Sequence, residues 1–233
     1  MRFAVVIFPG SNCEQDVVHA ARLLGHEAEY VWHGDTELTG FDAVVLPGGF
    51  SYGDYIRTGA VARFSPIMAE VVRFADAGGP VMGICNGFQI LTEAHMLPGA
   101  MLRNRGLKFI CRDVALRVEK SVCWWHDLAV GAVVHIPINH NEGNYTCDPE
   151  TLALMEANGQ IVLRYCEEDG SRAEGGSAPN GSLDDIAGVC NARGNVFGLM
   201  PHPERAVDPL TGRTDGVPFF EAVVRRLETV SGG

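Results

Sequence analysis

Residues 83–89 read GICNGFQ, and Cys85 alone among the seven cysteines stands between two glycines at the spacing of the G-x-S-x-G strand-to-helix elbow. A helix starting directly after Cys85 aims its first backbone amides and its positive dipole end at the sulfur, which raises the thiolate fraction. Gly83 and Gly87 suit such an elbow because side chains there crowd the neighbouring backbone. Cysteine is also among the most buried residue types, so packing is the alternative role for Cys85. Cys13, in PGSNCEQD, is the rival nucleophile, since that segment too runs from a strand end into a helix. It lacks the flanking glycines. The other five cysteines lie in strand-like or loop contexts.

A cysteine nucleophile needs a base and usually a group to orient that base. Of eight histidines, His202 in LMPHPERA is the strongest candidate, because the apolar run NVFGLM delivers it to a strand end and prolines flank it. Extended chain turns residues two apart to the same side, which puts Glu204 beside His202. The Gly48–Gly49 turn of PGGFSYGD can offer the backbone amide of Gly49 to a developing oxyanion, with the amide of Asn86 as second donor. Neither a G-x-G-x-x-G fingerprint nor a G-x-x-x-x-G-K-[ST] phosphate loop occurs. There is no C-x-x-C, and the single close pair Cys123 and His126 between tryptophans suits packing better than a metal, so no metal site is expected.

The elements that must hold these residues alternate. FAVVIF (3–8), EAEYVW (27–32), FDAVVLPGG (41–49) and PVMGIC (80–85) read as strands. CEQDVVHAARLLG (13–25), PIMAEVVRFADA (66–77) and NGFQILTEAHM (86–96) carry helical spacing and end near glycines or after short apolar faces. Strands alternating with helices predict an α/β fold with a mostly parallel central sheet covered by helices on both faces. Its ligand site lies where PGSN, PGGFSYGD and Cys85 gather at the carboxyl ends of the strands. Residues 108–119, 129–138, 160–166, 184–191 and 195–200 read as further strands with few helices between them, predicting a mixed or antiparallel edge. Residues 167–182 form a Gly- and Ser-rich connector within one domain spanning 1–233.

The chain has 233 residues, 46% of them hydrophobic, enough for one well-buried core. With 18 Lys and Arg against 29 Asp and Glu, the formal charge of −11 disfavours nucleic acid and anionic membranes as partners. The N-terminal apolar run stops after six residues, too short for a signal peptide core or a membrane span, so a cytoplasmic location with reduced thiols is expected. The Asn-x-Ser/Thr triplets at Asn144 and Asn180 then carry no glycan.

GICNGFQ, PGGFSYGD and PHPE together resemble the class I, or triad, glutamine amidotransferases, which have a flavodoxin-like sheet. IFPGSNCEQD, PGGFSYGDYIRTGA, RNRGLKF, PINHNEGNY and PNGSLDDIAGVCNARGNVFGLMPHPERA, spread over residues 7–206, resemble more specifically the small glutaminase subunits of phosphoribosylformylglycinamidine synthase. The resemblance implies that Cys85 attacks the side-chain amide of L-glutamine to form a thioester, that His202 moves the protons, and that Glu204 orients His202. It implies oxyanion amides at Gly49 and Asn86 and a substrate contact at Gln89. It further implies no cofactor on this chain, with ATP and magnesium on a large synthetase subunit, and a small third subunit in the complex. Where the family usually shows an A-H-G-E-G-like loop, this chain has Asn139, His140, Asn141, Glu142 and Gly143. Asn141 and Glu142 are expected to contact the glutamine carboxylate, helped by the tolerance of asparagine for unusual backbone angles, and His140 to shape the loop. Arg103, Arg105, Lys108 and Arg112 form a basic stretch suited to docking the partner or to a solvated face.

Overall fold

The computed structural model describes residues 1–231. Strand β1 (Arg2–Ile7) leads through a turn into helix α1 (Glu14–Leu23), which buries Val17, Val18, Ala20 and Ala21 and stops before the left-handed Gly25. Strands β2 (Glu27–Trp32) and β3 (Ala43–Leu46) follow, then helix α2 (Pro66–Asp76), which starts on a proline and packs through Ile67, Met68, Val71 and Ala75. Strand β4 (Val81–Ile84) runs into helix α3 (Asn86–Glu93). Strand β3 is shorter than the sequence predicts, because the chain leaves the sheet at Pro47 and opens into the glycine turn.

The second half contributes β5 (Ala100–Leu102), β6 (Ile110–Val118), β7 (Val133–His140), β8 (Asn144–Thr146), helix α4 (Pro149–Ala157), β9 (Ile161–Cys166), β10 (Ile186–Cys190), β11 (Val196–Leu199) and helix α5 (Val217–Ser231). Helices α4 and α5 are more helix than the sequence reading allows in this half. Helix α4 buries only Met155 and so carries little amphipathic period; it is set by Asp148, whose carboxylate accepts from the Thr151 amide, and by Pro149 at the first turn.

Nine strands form one sheet in the order β2-β1-β3-β4-β11-β10-β9-β6-β7. The pairs from β2 to β11 are all parallel, and from β11 to β7 all antiparallel. The expected parallel core with a mixed edge is therefore observed. Central strands β3, β4 and β11 are buried at every residue, whereas edge strand β7 alternates, as strands covered on two faces and on one face respectively should. The carboxyl ends of β3, β4 and β11 lie side by side, and these ends hold Gly49, Cys85 and His202.

Helix α3 lies unusually close to the sheet. A Cβ on Gly87 would fall 1.9 Å from the Leu46 carbonyl oxygen, and one on Gly83 2.6 Å from the backbone of Gly87. Both obstacles are backbone, which cannot rotate away. Gly87→Ala is therefore expected to destabilise the fold by about 3 kcal/mol or more, whereas Gly106→Ala, with open space around its Cβ, should stay within about 0.5 kcal/mol of wild type; urea unfolding of both variants checks this, and equal midpoints would contradict it.

Candidate active site

Cys85 occupies the junction between β4 and α3 with φ 50° and ψ −103°, a left-handed conformation that costs a non-glycine residue about 1–3 kcal/mol. Its amide donates to the Leu199 carbonyl at 2.8 Å, pinning the elbow to β11. The next amide, that of Asn86, is engaged in no hydrogen bond among the described residues, and neither is that of Gly49. Gly49 takes φ 145°, and a Cβ there would meet the Asn12 nitrogen at 2.7 Å, so only glycine fits. The side chain of Asn86 braces both neighbours: its Oδ1 accepts from the Ser51 amide at 3.1 Å, and its Nδ2 donates to Gln89 Oε1 at 2.9 Å.

His202 and Glu204 are almost wholly buried, at 1% and 2% exposure, and His202 Nδ1 lies 2.6 Å from Glu204 Oε1. The sequence reading expects them on one side of an extended strand. Instead Pro203–Arg205 forms a single 3-10 turn, with His202 at φ −107° and ψ 83° ahead of it, and the turn swings Glu204 back onto the ring. Proline at the first turn position favours this closure over continued strand. Burial opposes a charge on His202, but Glu204 and then the Cys85 thiol outweigh it and hold the ring well above its ordinary pKa.

His140 behaves oppositely. Burial, with the nearby His202, pushes it down to about 3, so its ring is neutral. Its Nε2 lies 3.1 Å from the Nδ2 of Asn180. This is a loop-shaping environment, without a carboxylate partner.

The loop after β7 needs no left-handed residue, contrary to the expectation based on asparagine: none of Asn139 to Glu142 has positive φ. Two fully buried asparagines hold it instead. Asn104 donates from Nδ2 to the His140 carbonyl at 2.9 Å and accepts from the Gly143 amide at 3.0 Å, while Asn180 donates to the Gly143 carbonyl at 2.7 Å. Gln89 Nε2 donates to the Glu142 carbonyl, joining helix α3 to the same loop. The Glu142 carboxylate turns outward to Arg103, 3.3 Å away. Asn104 and Asn180 lie in RNRGLKF and PNGS, polar and glycine-containing segments that read as exposed, so the sequence carries no signal of their burial.

A cavity of about 110 Å³ is lined by Gly49, Asp54, Cys85, Gln89, Asn141 and Glu142 among others. It thus gathers the candidate nucleophile, one of the two candidate oxyanion residues and all three candidate substrate contacts. His202 lines a second cavity of about 260 Å³, which shares Gly49, Phe50 and Asn139 with the first. Cys13 lines this second cavity, not the first. Its sulfur donates to Asn12 Oδ1 and accepts from Arg205 Nη2 at 3.3 Å. Cys13, His202 and Glu204 offer ligand-type atoms within 4.8 Å of one another, so His202 has a thiol on two sides. Both cysteines stand at the start of a helix, Cys13 before α1 and Cys85 before α3, but only Cys85 has the strained, positive-φ elbow. Asp54 is the residue of this site that the sequence reading passes over, although it closes PGGFSYGD.

No helix among the described residues is long and apolar enough to cross a membrane. Residues 1–215 match the model of the CobB/CobQ-like glutamine amidotransferase domain. The phosphoribosylformylglycinamidine synthase subunit PurQ of Gloeobacter violaceus is 55% identical over 226 residues, 96% of this chain and 97% of its own length. That of Rubrobacter xylanophilus is 54% identical over 225 residues, 96% of this chain and 98% of its own. Among solved structures, that of PurLQS from Thermotoga maritima contains a chain 43% identical, with a TM-score of 0.85, covering 97% of this chain and 98% of that one. A glutamine amidotransferase from the same organism, 14% identical, shares the fold with a TM-score of 0.56 over 100% of this chain and 94% of that one. With the family model matched over residues 1–215 and relatives 54–55% identical over 96% of its length, the chain belongs to the CobB/CobQ-like glutamine amidotransferases and, within them, to the PurQ subunits.

Proposed function

We propose that this chain, acting as one glutaminase domain, hydrolyses L-glutamine and delivers the ammonia to a synthetase partner that converts formylglycinamide ribonucleotide to formylglycinamidine ribonucleotide. The Cys85 thiolate attacks the side-chain amide carbon, and the oxygen that takes up the electron pair is met by the Gly49 and Asn86 amides. His202, charged beside Glu204, gives a proton to the departing nitrogen. Once the thioester has formed, the neutral ring takes a proton from water, whose oxygen attacks the thioester carbon, and glutamate leaves as the thiolate returns. Gln89, Asn141 and Glu142 line the space for the rest of the substrate. ATP and magnesium act on the partner, and the setting is the cytoplasm.

The observation that most supports this reading is the strained Cys85 at the start of α3, with two disengaged amides beside it and a buried imidazole–carboxylate pair that raises the charge-bearing capacity of His202. The 43% identical chain within PurLQS supports a large and a small partner subunit for this chain as well.

Glu204→Gln should lower the His202 pKa by at least about one pH unit, read from the ring protons by NMR titration; an unchanged titration would show that Glu204 is not what charges His202. In a complex reconstituted with the synthetase subunits, ATP and formylglycinamide ribonucleotide, Cys85→Ala should reduce glutamine-dependent synthesis by about 10³-fold or more and leave ammonia-dependent synthesis intact. Persistent glutamine use would overturn the assignment of Cys85.

A further inference from the structure

We infer that Asp54 is the seat of the α-ammonium group of glutamine, an inference that rests on the glutaminase reading above. Asp54 ends the turn Ser51–Asp54 with φ 54°, and it lines the same cavity as Cys85. Its Oδ1 is buried and has no hydrogen-bond partner. An unpaired carboxylate oxygen taken out of water is costly, so natural structures rarely keep one without a use.

The second carboxylate on this cavity, Glu142, is engaged by Arg103 at its outer end. No lysine or arginine lines the cavity, and His140 is neutral there. Asp54 is thus an uncompensated negative group in a pocket that contains no cation. Burial first, and the Glu142 charge second, raise its carboxyl to about 6, as expected of a group waiting for a positive partner. Glutamine carries its cation four bonds from the carbon that Cys85 attacks, at the opposite end of a short chain. A pocket with the thiol and a free carboxylate on its walls therefore suits an α-amino acid better than a simple amide. The ammonium group would restore the hydrogen bond that Oδ1 lacks and would relieve its repulsion with Glu142.

The test compares glutamine with glutaramate, the same molecule without the amino group, in the reconstituted complex. Wild type should prefer glutamine by at least tenfold in kcat/KM. Asp54→Asn, which keeps the shape and tolerates the left-handed backbone, should cut that preference at least tenfold, chiefly through KM for glutamine, while ammonia-dependent synthesis is unchanged. An undiminished preference in Asp54→Asn overturns the inference. If the variant does not fold, protection of wild-type Cys85 from iodoacetamide decides: glutaramate should protect at concentrations at least tenfold higher than glutamine, and equal protection overturns the inference. A wild-type complex that makes no product from glutamine would instead sink the glutaminase reading, leaving the two failures distinguishable.

Discussion

The site depends on how closely helix α3 approaches the sheet. Because Gly87 lets the helix backbone touch Leu46, and Gly83 lets the strand touch Gly87, the chain must turn from β4 into α3 within one residue. Cys85 absorbs that turn in a left-handed conformation. The strain is held in place by the amide bond to Leu199 and by burial of every residue from Asn86 to Thr92. A looser helix would relieve the strain, but it would also move the Asn86 amide and the dipole end away from the sulfur. Packing of two glycine-permitted contacts thus sets the electrostatics of one thiol.

Two buried histidines beside that thiol take opposite charge states for a plain reason. Both are penalised for carrying charge out of water, and only His202 has a carboxylate at 2.6 Å to offset it. His140 faces an asparagine amide, which has no charge to offer. The buried amides of Asn104 and Asn180 fix the loop that lines the cavity beside Cys85, so the wall of this space is set by hydrogen bonds rather than by special backbone angles.

The sheet was legible in the sequence because its central strands are continuous apolar runs and its helices keep one apolar face, patterns that burial on two sides and on one side impose. Gly83, Cys85 and Gly87 were legible for a related reason: a sharp turn admits few residue types. Less legible was helix α4, nearly all of whose residues remain at least partly exposed, leaving no periodic stripe to read. The pairing of His202 with Glu204 could be foreseen but its geometry could not, since strand alternation and a 3-10 turn after Pro203 both bring residues two apart together. Asn180 misleads in isolation. Its triplet reads as a surface acceptor, yet the side chain is wholly buried, and only the folded loop reveals the carbonyl it must reach.

The two acidic side chains of the site differ in a way that bears on what each is for. Glu204 is more deeply buried than Asp54, yet it has an internal partner in His202, so its charge is compensated before any substrate arrives. Asp54 has a buried oxygen and no partner, and its neighbour Glu142 makes its charge harder to hold. A fold selected for stability alone would remove such a group or turn it outward, as Glu142 is turned toward Arg103. Internal compensation suits a group that must stay charged through every step of a reaction, whereas an uncompensated carboxylate gains most from a ligand that brings the missing charge with it.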